Sequence, residues 1–580
     1  MTSLQPRLAS ASAAEHVARA LLRRGVRRIF GLEGGHVQPL WDHAARLGIA
    51  IVDVRDERAA VHMAHAHAEL TGETGFAMVT AGPGVTNTVT AVANATMSGV
   101  PVVVIGGAPP RPQEHMGPLQ GLRQVEIMAP ITRFARTVRS PEHAVRELDA
   151  ACAAANGEAG ERGAAYLEFP TDVFRVEVPS ALVLDEFGTP RAPRRAAPDP
   201  DAVRAAVDRL WSAQRPVIIS GRGARGAERE LVALLDALGA VYLDTQESRG
   251  LVSEDHPALV GAMRGTVMAQ ADVVVTVGRK LDYQLGYGSP AVFPHATFVR
   301  IGENAAELSE NRRGDPELRA SVAPALEAIT ASGRGRPSGA DRSWSSGLRA
   351  SHVERSKAYG AKLATAPAGA DGRMHPNRIF AAIRAAVPDD AVAIADGGDI
   401  LSFARLGLTQ PTYLDSGTFG CLGVGVPFAI AAALAQPERT VIAVNGDGAF
   451  GFNAIEIDTA VRHGARAVFV VANNAAWNIE RYDQMVNYEG RIVGTELRDS
   501  DYAGLAIALG AHGETVSDPD QLDAALRRAL ANAPAVLDVK VTRDAISSDG
   551  GKGLGYVPAY QPLSAWDEAE RRRRSGESTT

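Results

Sequence analysis

Short apolar runs recur along this chain, each closed by Gly, Pro or a polar residue and each followed by a helical pattern. That alternation marks parallel sheets covered by helices. In the first stretch the runs are Arg28–Gly31, Ile49–Val54, Gly75–Thr80 and Pro101–Gly106. A Pro/Arg/Ala-rich segment, Gly188–Pro200, then reads as a linker. The second stretch opens with Pro216–Ser220 and adds Asp272–Gly278. Gly333–Asp341, rich in Gly, Ser, Arg and Pro, and a polar helical segment to Lys362 separate it from the third. There the runs are Ala391–Ala395, Thr440–Asn445, Ala467–Ala472 and Ala535–Val541. The expected fold class is therefore α/β, with three doubly wound parallel-sheet domains over 1–185, 195–335 and 373–546. A C-terminal tail covers 547–580. The first and third blocks share length and strand rhythm, as two related domains would.

Composition removes several function classes. The 580 residues hold 60 basic and 67 acidic side chains, for a net charge of −7, which argues against a dedicated nucleic-acid binder. No run reaches about 18 apolar residues, so no membrane span is expected. Met1 to Gly25 is an amphipathic helical pattern without the apolar core of a secretory signal. Cys152 and Cys421 are too few for a disulfide scaffold and fit a reducing, cytoplasmic setting. What is left is a large, soluble, intracellular α/β protein, a class made up mostly of enzymes.

The sharpest motif lies in the third block. The run Thr440–Asn445 ends in Gly446-Asp447-Gly448, a helical pattern follows over Ala454–His463, and Ala467–Ala472 ends in Asn473-Asn474. Asn474 follows Asp447 by 27 residues, which puts both at the carboxyl ends of strands, where doubly wound folds bind ligands. An anionic and a neutral oxygen ligand suit Mg²⁺ or Ca²⁺ bridging a diphosphate. The glycines let backbone N–H groups reach phosphate.

This arrangement resembles the thiamine-diphosphate (ThDP) enzyme signature, and the likeness extends over about 540 residues in all three blocks. It implies pyrimidine-binding, central Rossmann-like and diphosphate-binding domains, with active sites between subunits of a homodimer or homotetramer. Glu57, after Ile51–Val54, matches the glutamate that hydrogen-bonds N1′ of the aminopyrimidine. Its companions Pro83 and Asn87 follow in Gly82-Pro83-Gly84-Val85-Thr86-Asn87. Leu422 matches the apolar prop beneath the bent cofactor, and the Gly420 carbonyl matches the acceptor for its 4′-amino group. Asp396 to Asp399, with Gly397 and Gly398 between, sit where the family grips the diphosphate, beside Gly446, Gly448 and Ala449. Asp447, Asn474 and the Ala476 carbonyl match the Mg²⁺ ligands.

Substrate class rests on a few positions. His36, in Gly34-Gly35-His36, looks like benzaldehyde lyase, whereas pyruvate-type decarboxylases carry an acid one place earlier. Leu119-Gln120, with Gln124-Val125-Glu126 after it, resembles acetolactate synthases and 2-hydroxyacyl-CoA lyases. So do Leu414 to Gly420, Gly446 to Phe452 and Ala271 to Tyr283, which lean to the acyl-CoA branch. Glu480 stands where pyruvate-type decarboxylases hold a catalytic glutamate. Animal 2-hydroxyacyl-CoA lyases have Gly-Ile-Tyr in place of Asn478-Ile479-Glu480, so bacterial members fit better. The resemblance implies cleavage of a 2-hydroxyacyl-CoA to formyl-CoA and an aldehyde or ketone. Glu480 and His36 would move protons, with Gln120 as orienting donor. The alternative is a carboligase or decarboxylase acting on free 2-keto acids or 2-hydroxy ketones.

Two further features stand apart. Gly221-Arg222-Gly223-Ala224-Arg225-Gly226, with Asp244 23 residues after Gly221, fits a dinucleotide fingerprint. In the family this domain holds FAD, ADP or nothing. In the tail, Arg571–Arg574 would meet CoA phosphates if the tail folds over the site as a lid.

Overall fold

The computed structural model describes residues 9–158, 160–189 and 195–552, with residues 572 and 575 beyond them. The expected lid segment after residue 552, these two residues apart, lies outside the described residues.

Three parallel sheets carry the fold. The first contains Arg28–Leu32 (β1), Ala50–Asp53 (β2), Gly75–Val79 (β3), Val102–Ala108 (β4), Phe134–Thr137 (β5) and Ala164–Pro170 (β6), in the order β2-β1-β3-β4-β6-β5. The central sheet contains Pro216–Ser220 (β7), Val241–Leu243 (β8), Val273–Val277 (β9), Thr297–Gly302 (β10) and Glu317–Arg319 (β11), ordered β8-β7-β9-β10-β11. The last contains Val392–Asp396 (β12), Thr412–Leu414 (β13), Val441–Gly446 (β14), Ala467–Asn473 (β15), His512–Val516 (β16) and Ala535–Lys540 (β17), ordered β13-β12-β14-β15-β17-β16. Relabelled from their own first strands, the outer two sheets have one and the same order. The shared strand rhythm of the first and third blocks thus reflects a shared topology.

The central strands are almost wholly apolar because both faces are covered. All of Val273–Val277 and all of Ala467–Asn473 are buried. Helix Glu57–Thr71 of the first unit packs on helix Gly425–Ala435 of the last. The latter is apolar on every side, as a helix enclosed on all faces must be. One apolar cluster therefore runs through both units, from Val54 and Ala60 to Phe428 and Val471. His62 and His65 are buried in this seam against Phe428.

Two local expectations shift. The N-terminal helix spans only Ala13–Arg23, capped by the Ser12 side chain, after strand Ser10–Ser12 pairs with Glu177–Pro179. The helix expected at Ala454 begins instead at Asp447, directly off β14, and passes through a tight turn at Ala454–Glu456 into Ile457–Arg462.

The glycine-rich loop after β7 has a packing role. A Cβ on Gly278 would fall 2.4 Å from the Gly223 carbonyl carbon, so these two backbones meet only as glycines. The loop's arginines reach into the first unit. Arg222 and Arg225 both pair with Glu69 of helix Glu57–Thr71, Arg225 at 3.1 Å, and His65 adds a contact at 3.0 Å. Burial alone would raise the Glu69 carboxyl; the two guanidiniums hold it well below the usual carboxylate range. Breaking a buried pair from one side leaves an uncompensated charge. Arg222→Ala is therefore expected to lower stability by about 3 kcal/mol, the low end for such a loss because Arg225 and His65 remain. A fall in the urea midpoint would register it.

Candidate active site

In an open α/β sheet, ligands bind at the strand ends where the order reverses. In the third sheet that point lies between β12 and β14, which end in Gly397-Gly398-Asp399 and in Gly446-Asp447-Gly448. The two turns touch: a Cβ on Gly397 would lie 3.3 Å from the Gly446 nitrogen. A cavity of about 670 Å³ opens there. Its walls include Gly397, Gly398, Asp399, Gly420, Leu422, Gly446, Asp447, Gly448, Ala449, Asn474, Ala476 and Glu480. Of the residues expected from the diphosphate-binding half, all but Asp396 thus line one space. Tyr283 and Tyr287 close it from the central unit.

Asp447 is 2% exposed, and its Oδ2 has no hydrogen-bond partner. Burial pushes its carboxyl up to about 7, although backbone N–H groups oppose the shift. Asn474 Oδ1 accepts the Ala476 N–H at 3.1 Å, which folds this loop back over the turn. Among the described residues no cluster of three His, Cys, Asp or Glu side chains could hold a metal. The donor set here is different in kind, one carboxylate, one amide and one carbonyl. A buried carboxylate oxygen left without a donor fits a hard divalent cation that takes its other ligands from a bound diphosphate. Trp477 packs so closely on Gly448 that a Cβ there would lie 2.5 Å from the indole.

Asp396, behind the turn, accepts the backbone N–H groups of Gly423 (2.9 Å) and Gly425 (2.8 Å) through Oδ2, and so fixes the loop bearing Gly420 and Leu422. Asp399 is bonded on both oxygens, to the Ser547 N–H at 3.0 Å and the Asn478 side chain at 3.1 Å. Glu480 stands in the first turn of helix Asn478–Asn487. Water reaches it, but it sits in a recess. Desolvation raises its carboxyl above the usual range, and Asp399 and Asp483 add to this.

The residues expected from the first unit form a second group, and none of them lines this cavity. Glu57 is 7% exposed, and its Oε2 accepts from Asn87 Nδ2 at 3.0 Å. A Cβ on Gly84, beside Pro83, would lie 3.5 Å from the other oxygen, so the carboxyl occupies a narrow slot. His36 contacts Thr80 Oγ1 at 3.4 Å; burial lowers its pKa and a bond with Gln120 partly restores it. His36 follows β1 and Pro83 and Asn87 follow β3, the switch point of the first sheet, while Glu57 follows β2 and Gln120 follows β4.

One buried residue in this group escaped the sequence reading of roles. Gln124 accepts the Gly82 N–H (2.5 Å) and donates to Glu168 (2.6 Å) and the Gly107 carbonyl (3.0 Å). It ties the loop of Pro83 and Asn87 to the segment of Gln120. The available signal was Glu168, a carboxylate inside the apolar run Ala164–Pro170, which needs a buried donor.

Family models now bear on this geometry. The "Thiamine pyrophosphate enzyme, N-terminal TPP binding domain" matches 11–127, the central domain matches 203–329, and the C-terminal TPP binding domain matches 398–539. The chain belongs to the thiamine pyrophosphate enzyme family. It is a ThDP-dependent enzyme of the lyase or carboligase kind. A probable acetolactate synthase of Mycobacterium bovis is 35% identical over 538 residues, covering 90% of this chain and 94% of that protein. The 2-hydroxyacyl-CoA lyase 2 of Mus musculus is 33% identical over 557 residues, covering 88% and 87%. The human 2-hydroxyacyl-CoA lyase 1 is 29% identical over 554 residues, covering 91% and 94%. No helix among the described residues is long and apolar enough to cross a membrane.

Proposed function

We propose that this protein is a ThDP- and Mg²⁺-dependent lyase that cleaves a 2-hydroxyacyl-CoA to formyl-CoA and an aldehyde or ketone. The relatives include both this activity and acetolactate synthase, so the choice rests on the cavity. The observation that carries it is charge. Asp399, Asp447, Glu480, Asp483 and Asp549 line the cavity against a single guanidinium, Arg405. Arg405 is itself held by Asp415 (3.4 Å) and Asp549 (3.8 Å). With Asp447 taken up by the metal, the remaining carboxylates oppose a second carboxylate at the reacting carbon, which is what a free 2-keto acid would bring there. The reacting end of a 2-hydroxyacyl thioester is neutral.

Asp447 Oδ2, Asn474 and the Ala476 carbonyl would hold Mg²⁺. The backbones of Gly397, Gly398, Gly446, Gly448 and Ala449 would face the diphosphate, with Gly420 and Leu422 against the rings. When bound, ThDP supplies a nucleophilic carbon and takes up the electron pair released when a carbon–carbon bond breaks. Glu480 receives the proton of the 2-hydroxyl as that carbon becomes a carbonyl, and a proton returns to C1 to complete formyl-CoA. His36, as the other proton carrier, and Gln120, as orienting donor, line no part of their own chain's cavity and act from a second copy. Glu57, Pro83 and Asn87 line no part of their own chain's cavity, so we assign them to the cavity of a second copy in a homodimer or homotetramer. Met116, Leu119 and Leu122 stand exposed on the segment carrying Gln120, as surface awaiting a partner would.

The test is to incubate the holoenzyme with a 2-hydroxyacyl-CoA and assay formyl-CoA together with the carbonyl product. Turnover of pyruvate without CoA would instead establish the carboligase. In the same assay Glu480→Gln is expected to lose on the order of 10²-fold, the lower end for a proton-transfer group because water reaches the site. Near wild-type turnover with cofactor bound would remove Glu480 from the mechanism.

A further inference from the structure

We propose that Glu456 is the positioning residue for Glu57. The two are separated by almost the whole first and central units in sequence, yet Glu456 holds the backbone immediately before Glu57. Glu456 is 0% exposed. Its Oε1 accepts the N–H groups of Arg55 and Asp56, each at 3.0 Å. Its Oε2 accepts the Arg55 N–H at 3.2 Å and the Thr459 hydroxyl at 2.5 Å. Arg55 and Asp56 lead into helix Glu57–Thr71, and Asp56 is its N-cap. Amides at a helix start lack partners within the helix. A carboxylate that accepts two neighbouring amides fixes that peptide with charge-assisted bonds. The next residue is Glu57, so its Cα is set by Glu456.

A second tie holds the other flank. The Arg58 guanidinium donates to the Phe452 carbonyl (3.0 Å) and Asn453 Oδ1 (3.3 Å) and lies 5.6 Å from the Phe452 ring centroid. Asn453 in turn donates to the Gly423 carbonyl at 2.5 Å, next to Leu422. The segment 452–456 continues directly from the helix that Asp447 begins. Segments bearing the metal carboxylate, the apolar prop and Glu57 therefore meet at one turn, with Glu456 as its buried anion. Burial pushes that carboxyl up to about 7, against the bonds from Thr459, Arg55 and Asp56. The arrangement keeps its place only because these donors surround it.

The inference rests on Glu57 holding a proton in the reaction. A misplacement of about 1 Å at a reacting group costs roughly 10²-fold. Glu456→Ala in the holoenzyme is expected to lower kcat about 10²-fold while KM and cofactor affinity stay within threefold. Glu456→Gln keeps an acceptor oxygen for the two amides and should recover at least tenfold over alanine. Glu456→Asp, which keeps the charge but withdraws the acceptor, should fall below glutamine. Should the alanine variant not fold, the order of Gln and Asp decides. An alanine variant within threefold of wild-type kcat, or a glutamine or aspartate variant that breaks this order, overturns the proposal. In a Glu57→Gln background, Glu456→Ala should cause little further loss, because the two act as one unit. If Glu57→Gln itself has no effect, the reading of Glu57 fails. If it does and Glu456→Ala does not, the positioning role fails.

Discussion

Replacing Glu57 with glutamine is expected to lower turnover roughly 10³–10⁴-fold, the upper range for a proton-transfer group, while ThDP affinity changes by less than tenfold. The side chain sits in a slot between Asn87 and the Gly84 backbone. Glutamine matches its length and volume, so the slot and helix Glu57–Thr71 should persist. What is lost is a group that can gain and release a proton at the cofactor's ring nitrogen. Burial keeps bulk water from taking over this role. Steady-state kinetics and calorimetric titration with ThDP, run together, give the measurement. Turnover within tenfold of wild type would remove Glu57 from proton transfer. A large loss of cofactor affinity would make it a binding residue instead.

How much of this was legible in the sequence depends on what each element must bury. Pro216–Ser220 was readable to the residue because a strand covered on both faces has no polar positions to confuse its bounds. Phe134–Thr137 and His512–Val516, half-exposed at sheet edges, were not read, and neither was the buried inner strand Ala164–Pro170, whose apolar run is broken by Glu168. An edge strand needs no continuous apolar run, and its pairing is set by a neighbour distant in sequence. The site divides in the same way. Turns such as Gly446-Asp447-Gly448 are local: the residues proposed to bind also make the turn, so its spacing to Asn474 pointed to them. Supporting groups are not local. Gln124 meets Glu168 across the first sheet, and Glu456 meets Arg55 across two units, so nothing in the neighbouring sequence signals either role. The Gly221–Gly226 fingerprint shows the converse, since its spacing is explained by close backbone packing and its arginines by Glu69.

Asp447→Asn is expected to abolish activity through loss of the metal. Asp447 supplies the only carboxylate of the proposed ligand set, and the substitution keeps shape while removing charge. Losing one partner of a buried charge pair costs about 4 kcal/mol, which weakens Mg²⁺–ThDP binding roughly 10³-fold. Thermal unfolding offers a readout independent of turnover. A ligand present at 100 times its Kd stabilises the native state by about 2.7 kcal/mol, and at a tenth of Kd by almost nothing. Wild type should therefore gain a clear rise in Tm with Mg²⁺ and ThDP, and the variant none. Without cofactor the order should reverse or level out. The orphaned Oδ2 leaves a desolvated carboxyl without a donor in the free protein, and the amide removes the part of that penalty due to charge. A variant that is less stable without cofactor but still gains from it would show Asp447 to be a structural residue of the turn, and the metal would have to be sought elsewhere in the cavity.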